Sequence, residues 1–267
     1  MRRLGVVGLV SLDRVDGGLP RLGGAPVYAA RSLRLLGHPS VVATKLADED
    51  RARLAALGVP VVARSAGRTI GFRIENDGDR RRMEIDELGE PWSETEARGW
   101  LAEALVGCDW VHAGALTRAD FPAPTVAALA RGRGVSLDGQ ALVRRAAVGE
   151  LTLDAEYDPE LLRHVDVLKL ARDELDALGL ELTERSLGSL GVREVLVTLG
   201  RGGAVVYADG LAEHIPTFPL EGVDPTGAGD SWTAAYLTYR RQRHSPVSAA
   251  RLANGAVSAL LGRWPAR

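Results

Sequence analysis

The residues Asp224-Pro225-Thr226-Gly227-Ala228-Gly229-Asp230-Ser231 stand directly before an apolar run from Trp232 to Tyr239. Gly227 and Gly229 let the backbone turn tightly and present bare N–H groups. The helix predicted from the apolar run aims its positive dipole end at the same spot, so the segment suits an anion, a phosphate above all. A carboxylate at Asp230 repels such a ligand unless it has a task of its own, and accepting the proton of an attacking hydroxyl is such a task. The implied chemistry is phosphoryl transfer to an alcohol. A helix cap and a turn are the plainer reading of Thr226, Asp230 and one Gly-x-Gly. The full eight-residue run goes beyond it.

This run, late in the chain and ahead of an apolar helix, resembles the C-terminal signature of the PfkB, or ribokinase-like, carbohydrate kinases. Three further segments follow the family's order. Leu22-Gly23-Gly24-Ala25-Pro26, with a helical run ending Leu35-Leu36-Gly37, is similar to the family's paired glycines and first helix. Asp166-Val167-Leu168-Lys169 through Glu174 resembles the strand-plus-acid segment, and Val197-Thr198-Leu199-Gly200-Arg201-Gly202-Gly203-Ala204 the nucleotide-binding T-x-G-x-x-G stretch. The resemblance spans nearly the whole chain. It implies one α/β domain over 1–267: a doubly wound, mostly parallel sheet flanked by helices, with a small β-hairpin lid built from insertions near 11–22 and 68–90.

The resemblance also implies roles. Asp230 is the expected base, and the amides of Gly227, Ala228 and Gly229 are expected to hold charge on the transferred phosphoryl group. Expected cofactors are ATP and Mg²⁺, with a monovalent cation as a further candidate. Glu174 is the candidate for holding magnesium, although Ala171 stands where the family's N-x-x-E motif has asparagine. Lys169 is either a partner for the phosphates or a solvated strand-end lysine. Thr198, Gly200 and Gly203 are expected along the nucleotide, and Asn254, on the penultimate helix, lies either in the adenine pocket or on a helix surface.

For the acceptor, Asp13 falls just past the first strand, where a carboxylate at the sheet edge can accept hydrogen bonds from two neighbouring hydroxyls. Gly23 and Gly24 are expected to let the backbone approach the same ligand, and Tyr28 stands where many family members place an asparagine toward the sugar. Asp138, Gln140 and Arg144 offer a carboxylate, an amide and a guanidinium for hydroxyls or phosphates. Their stretch, Asp138-Gly139-Gln140-Ala141-Leu142-Val143-Arg144, resembles that of inositol-kinase-like members, which makes a cyclic polyol such as myo-inositol the leading acceptor, against another sugar or a nucleoside.

These residues need a frame. Strand-like runs at Leu4 to Val10, Ser40 to Leu46, Val59 to Ala63, Trp110 to Ala113, Val135 to Asp138, Val165 to Leu170, Glu194 to Thr198 and Ala204 to Tyr207 alternate with helical patterns. The helical patterns include Pro26 to Leu36, Glu49 to Leu57, a stretch opened by the capping box Ser93-x-x-Glu96, and Pro124 to Arg131; two helices close the chain. That alternation predicts a parallel sheet with helices on both faces. Thr69 to Glu75 and Arg80 to Asp86 interrupt it with period-two runs around the turn Asn76-Asp77-Gly78-Asp79. This hairpin reads either as a lid, joined by Leu12 to Leu19 and open to pairing with a second subunit, or as an exposed edge hairpin.

Composition sets outer limits. A chain of 267 residues, 46% hydrophobic and 25% charged, suffices for one large core, and a formal charge of −2 speaks against a nucleic-acid or membrane partner. No apolar run reaches the roughly 18 residues of a membrane span. The start Met1-Arg2-Arg3 leads into a short strand-like run without a cleavage site, so a cytoplasmic protein is expected. The lone Cys108 reads as a buried small hydrophobe. Lys45 and Lys169 are the only lysines. His38, His112, His164, His214 and His244 form no ligand motif and read as surface or core-edge residues. Gly5-Val6-Val7-Gly8 lacks the G-x-G-x-x-G spacing of a dinucleotide-dependent oxidoreductase. A nucleoside kinase of the same fold, or an inactive sugar- or nucleotide-sensing protein, remains as the alternative.

Overall fold

A computed structural model of the chain describes residues 2–77, 80–217, 223 and 225–262. Asp224 of the signature, and Gly78 and Asp79 of the expected turn, lie outside the described residues.

In chain order the strands are β1 (Arg3–Gly8), β2 (Ser11–Val15), β3 (Arg21–Gly23), β4 (Ser40–Leu46), β5 (Val61–Ser65), β6 (Ile70–Asp77), β7 (Arg80–Glu87), β8 (Cys108–Gly114), β9 (Gly134–Asp138), β10 (Gly149–Glu150), β11 (Val167–Ala171), β12 (Glu194–Thr198), β13 (Ala204–Ala208) and β14 (Leu211–Ile215). The helices are α1 (Ala25–Leu35), α2 (Glu94–Arg98), α3 (Trp100–Ala104), α4 (Ala123–Leu129), α5 (Gln140–Val143), α6 (Arg172–Ala177), α7 (Glu184–Gly188), α8 (Ala228–Arg241) and α9 (Pro246–Leu261).

Nine strands form one sheet in the order β14-β13-β12-β11-β9-β8-β1-β4-β5. Its pairings are parallel except β12 with β13 and β13 with β14. Alternation within a strand sends successive side chains to opposite faces. Val7, Val111 and Leu137 thus join one buried cluster with Val126 of α4 and Leu175 of α6, while Val6, Val167 and Leu196 join another with Leu33 of α1, Trp232 of α8 and Ala253 of α9. After β1 the chain first builds β4 and β5 on one side, then returns to place β8 on the other. A crevice opens beyond the strand C-termini at such a reversal.

The lid is a second sheet, β10-β7-β6-β2-β3. The β6–β7 hairpin pairs as its alternation predicts, and β2 joins it in parallel from Ser11 opposite Ile70 to Val15 opposite Ile74. The exposed-edge expectation needs correction: the hairpin is no bare edge, because β2 covers β6, and β10, which the sequence does not announce, covers β7 at Glu84 and Ile85. It also contributes to the core, with Ile70, Phe72, Ile74 and Ile85 all buried in the first cluster.

The segment Asp48–Leu57 is a 3₁₀ stretch rather than the expected α-helix. Its buried leucines, Leu54 and Leu57, lie three apart, the spacing that eclipses on a three-residue turn. Buried Asp50 accepts from the Thr69 hydroxyl at 2.8 Å, which ties the stretch to the start of β6. The capping box forms as read: Glu96 N–H donates to Ser93 Oγ at 3.1 Å and Ser93 N–H to Glu96 Oε2 at 3.0 Å. Cys108 is buried. No helix among the described residues is long and apolar enough to cross a membrane.

Candidate active site

Helix α8 begins at Gly227, whose φ of 75° lies in the left-handed region that favours glycine. A Cβ at Gly227 would overlap the Tyr28 ring, so this glycine is needed for packing as well as for the turn. Ser231 donates its hydroxyl to the Tyr28 carbonyl at 3.2 Å, a second tie between α8 and α1. Of the three expected cradle amides, Ala228 donates to the Pro225 carbonyl at 3.0 Å. The Gly227 and Gly229 amides have no backbone partner among the described residues.

Asp230 sits on the first turn of α8, half-buried. Burial first, then the charge of Asp138, push its pKa up to about 7, against the opposing effects of Lys169, His112 and Arg144. A carboxylate poised near neutrality suits a general base. Lys169, in the middle of β11, is buried, which rules out the solvated strand-end reading. Burial draws its pKa down, but Glu174, Asp138 and Asp230 more than offset this and hold it above the ordinary lysine value. Its Nζ lies 3.1 Å from where a Cβ on Gly229 would be, at the mouth of the amide cradle.

Glu174 is buried at the start of α6, where its Oε2 accepts the Ala171 N–H at 2.8 Å. The alanine in place of asparagine therefore still anchors the acid through its backbone. Oε1 takes no hydrogen bond among the described residues, and a buried carboxylate with one open oxygen fits a hard divalent cation held through water.

On the acceptor side, Asp13 lies on β2 of the lid, buried, and accepts from the Ser11 hydroxyl at 2.7 Å. Burial raises its pKa, while Ser11, Arg21, Arg81 and Arg144 act to lower it. The close approach that Gly23 permits is to Asp13 itself, whose carboxylate occupies the space of the missing Cβ; at Gly24 a Cβ would lie 2.7 Å from the Leu9 carbonyl oxygen. Both glycines are thus used inside the protein. Burial, with the charges of Asp13 and Asp230 in support, pushes the Tyr28 hydroxyl up to about 12, so Tyr28 lies within electrostatic reach of the lid carboxylate and the base together. Gln140 opens α5 with its Oε1 buried and without a partner among the described residues, and Arg144 acts electrostatically on Asp13, Asp138, Lys169 and Asp230.

The structure therefore gathers Asp13, Asp138, Arg144, Lys169, Glu174 and Asp230 into one electrostatic group. The nucleotide residues are more dispersed. Thr198 pairs with Ala171 at the end of β12 and donates its hydroxyl to the Leu170 carbonyl at 3.3 Å. Gly200 and Gly203, in the turn between β12 and β13, take φ values of 55° and 88°. Asn254 lies on α9, the last helix rather than the penultimate one. Its Oδ1 accepts from Trp232 Nε1 at 2.7 Å and its amide donates to the Pro216 carbonyl at 3.0 Å, so it serves as a tether between α8 and the chain after β14. One member the sequence reading passes over is His112, which is fully buried rather than a surface residue. His112, Asp138 and Asp230 each offer one ligand-capable atom within 4.8 Å of the others.

The chain matches the pfkB family carbohydrate kinase profile over residues 11–263. It belongs to that family. Among curated relatives, this PfkB-family chain is 37% identical to the inositol 3-kinase of Zea mays over 126 residues, which cover 46% of the chain and 32% of the relative. The matched stretch thus spans about a third of that relative's length. Among solved structures, it superposes with a TM-score of 0.82 and 28% identity on a pyrophosphate-dependent kinase of the ribokinase family complexed with a pyrophosphate analog and myo-inositol, covering 99% of this chain and 97% of that one. A sulfate complex of a pyrophosphate-dependent kinase of the same family gives a TM-score of 0.83 at 27% identity, with the same coverage.

Proposed function

We propose that the protein transfers a phosphoryl group to one hydroxyl of a cyclic polyol of the inositol type, with Asp230 as general base. The observation that carries this reading is Asp230 on the first turn of α8, directly after the glycine turn and near the buried ammonium of Lys169, which lies against Gly229. The acceptor enters the crevice beneath the lid, where Asp13 and Gln140 accept hydrogen bonds from its hydroxyls. Asp230 takes the proton of the attacking hydroxyl as its oxygen bonds to phosphorus, and the bond from phosphorus to the donor's bridging oxygen breaks. The amides of Gly227 and Gly229, with Lys169 and Arg144, meet the charge on the phosphoryl oxygens. Magnesium, when bound, neutralises donor phosphates, and Glu174 is the residue to hold it. Thr198, Gly200 and Gly203 line the donor side. The inositol preference is supported by the similarity to inositol 3-kinase and to a kinase solved with myo-inositol.

The donor has two readings. ATP follows from the T-x-G-x-x-G stretch. Inorganic pyrophosphate is favoured by a specific observation: the two structural matches above are to pyrophosphate-dependent kinases, and here Asn254 spends both ends of its amide on Trp232 and Pro216 instead of presenting them to a base.

The test is a matrix of two donors, MgATP and magnesium pyrophosphate, against myo-inositol, ribose, fructose and a nucleoside, read by ³¹P NMR of the products. A phosphate monoester of myo-inositol is expected. Its absence with phosphorylation of ribose or the nucleoside overturns the acceptor, and no monoester with any pair overturns the kinase reading in favour of a sensing protein.

A further inference from the structure

Beneath the first turn of α8 the sheet carries a row of polar side chains. His112 on β8 is in register with Ser136 on β9, and Asp138, two residues on, is in register with Lys169 on β11. Parallel register and two-residue spacing put all four on the α8 side. Around them that face is built of Leu4, Val6, Val167 and Leu196. His112, Ser136 and Asp138 are completely buried. Both ring nitrogens of His112, both oxygens of Asp138 and the Ser136 hydroxyl have no hydrogen-bond partner among the described residues. Buried polar atoms without partners are costly and call for an explanation. His112 Nε2 lies 3.4 Å from Asp138 Oδ2, and Asp230 completes the cluster.

We propose that His112 is a positioning residue for the phosphoryl transfer: from beneath α8 it fixes Asp138, and Asp138 in turn faces Asp230. The inference rests on the proposed role of Asp230 as base. The groups facing this cluster are Lys169 from β11 and Arg144 from the end of α5, with Glu174 of α6 behind Lys169. Burial alone would raise the Asp138 pKa, but His112, then Lys169 and Arg144, hold it below the ordinary carboxylate value. Asp138 therefore stays ionised, and its negative charge makes Asp230 the more basic of the pair. When Asp230 takes the acceptor's proton, the net charge of the pair falls, which favours the transfer.

The test uses the full chain without ligand, labelled with ¹³C at the aspartate carboxyls and titrated by NMR. One resonance is expected to titrate near 7 and to vanish in Asp230→Asn, which assigns it. It should move to lower pH in Asp138→Asn, where the negative neighbour is gone. In His112→Leu it should move to higher pH, because Asp138 without its partner makes the pair keep its last proton longer. His112→Gln keeps an N–H donor without the charge and should bring the titration part of the way back toward wild type. With the best donor and myo-inositol, His112→Leu should lower kcat about tenfold to a hundredfold and leave the acceptor KM little changed. A titration unmoved by Asp138→Asn, or moved alike by Leu and Gln at position 112, overturns the proposal. If His112→Leu does not fold, the Asp138→Asn and His112→Gln titrations decide it alone. An Asp230→Asn protein that still turns over removes the base and leaves the titration result standing, so the two failures are told apart.

Discussion

Partial burial and the charge of Asp138 push the Asp230 pKa up to about 7, and this has opposite consequences for rate and for stability. As the proposed base, Asp230 must be ionised, so kcat should fall as pH drops through about 7, a limb that a pH–rate profile will locate. For stability the sign is reversed. The folded pKa lies above the ordinary carboxylate value, so the folded state holds this proton more tightly, and the contribution to stability fades as pH rises toward about 7. Asp230→Asn should therefore raise Tm more at pH 8 than at pH 5, in thermal melts, while lowering turnover by about 10² to 10⁴ with donor binding retained. An unchanged turnover would remove Asp230 from its role. At Asp13, substitution by alanine should weaken acceptor binding by roughly 1 to 3 kcal/mol and donor binding far less, as calorimetric titration of both ligands will report. The carboxylates that gather beside α8 and the glycine turn that opens it were legible as candidates because their types and spacing are unusual on their own. His112 was not, since a histidine in a strand gains meaning only when strand order sets it across from Ser136 and near Asp138. Asn254 was half legible: its type suggested a nucleobase partner, but its real partners, Trp232 and Pro216, are set by how α9 packs.

Helix α8 is fastened at both ends. At its N-terminus the Tyr28 ring lies where a Gly227 side chain would be, so Gly227→Ala meets both a positive φ and an occupied space. The strain term alone is about 1 to 2 kcal/mol, and turnover should fall with it. Tyr28→Ala in the same chain should recover only the part due to overlap, which a double-mutant cycle separates. Toward the C-terminus, buried Glu194 accepts from the Tyr236 hydroxyl at 2.5 Å and from Arg240 Nη2 at 2.7 Å. Arg240→Ala leaves that carboxylate buried and short of its countercharge, a loss of about 3 to 5 kcal/mol. Denaturant melts should show it while kcat at low temperature is unchanged. Strands and α-helices with clear two- or three-to-four-residue periods were readable in the sequence. The 3₁₀ stretch Asp48–Leu57 and the short strands β3, β10 and β14 were not, since their form depends on what they pack against.

The whole molecule consists of a large sheet and a lid sheet that share one buried cluster, through Ile70, Phe72, Ile74 and Ile85. A Gly-Ser link in place of Thr69 to Asp86 should therefore lower Tm sharply rather than leave the main sheet intact, and Phe72→Ala alone should cost about 3 to 5 kcal/mol. The contact of Tyr28 with Gly227 has a further consequence at this scale. Tyr28 of α1 packs against Gly227 and stands in the field of Asp13, so on the proposed reading donor and acceptor share a wall. Occupancy on either side then changes affinity on the other, and by reciprocity the two factors must be equal. Measured dissociation constants for the polyol with and without donor, and for the donor with and without polyol, should close a thermodynamic box, and Tyr28→Ala should shrink both factors toward unity together.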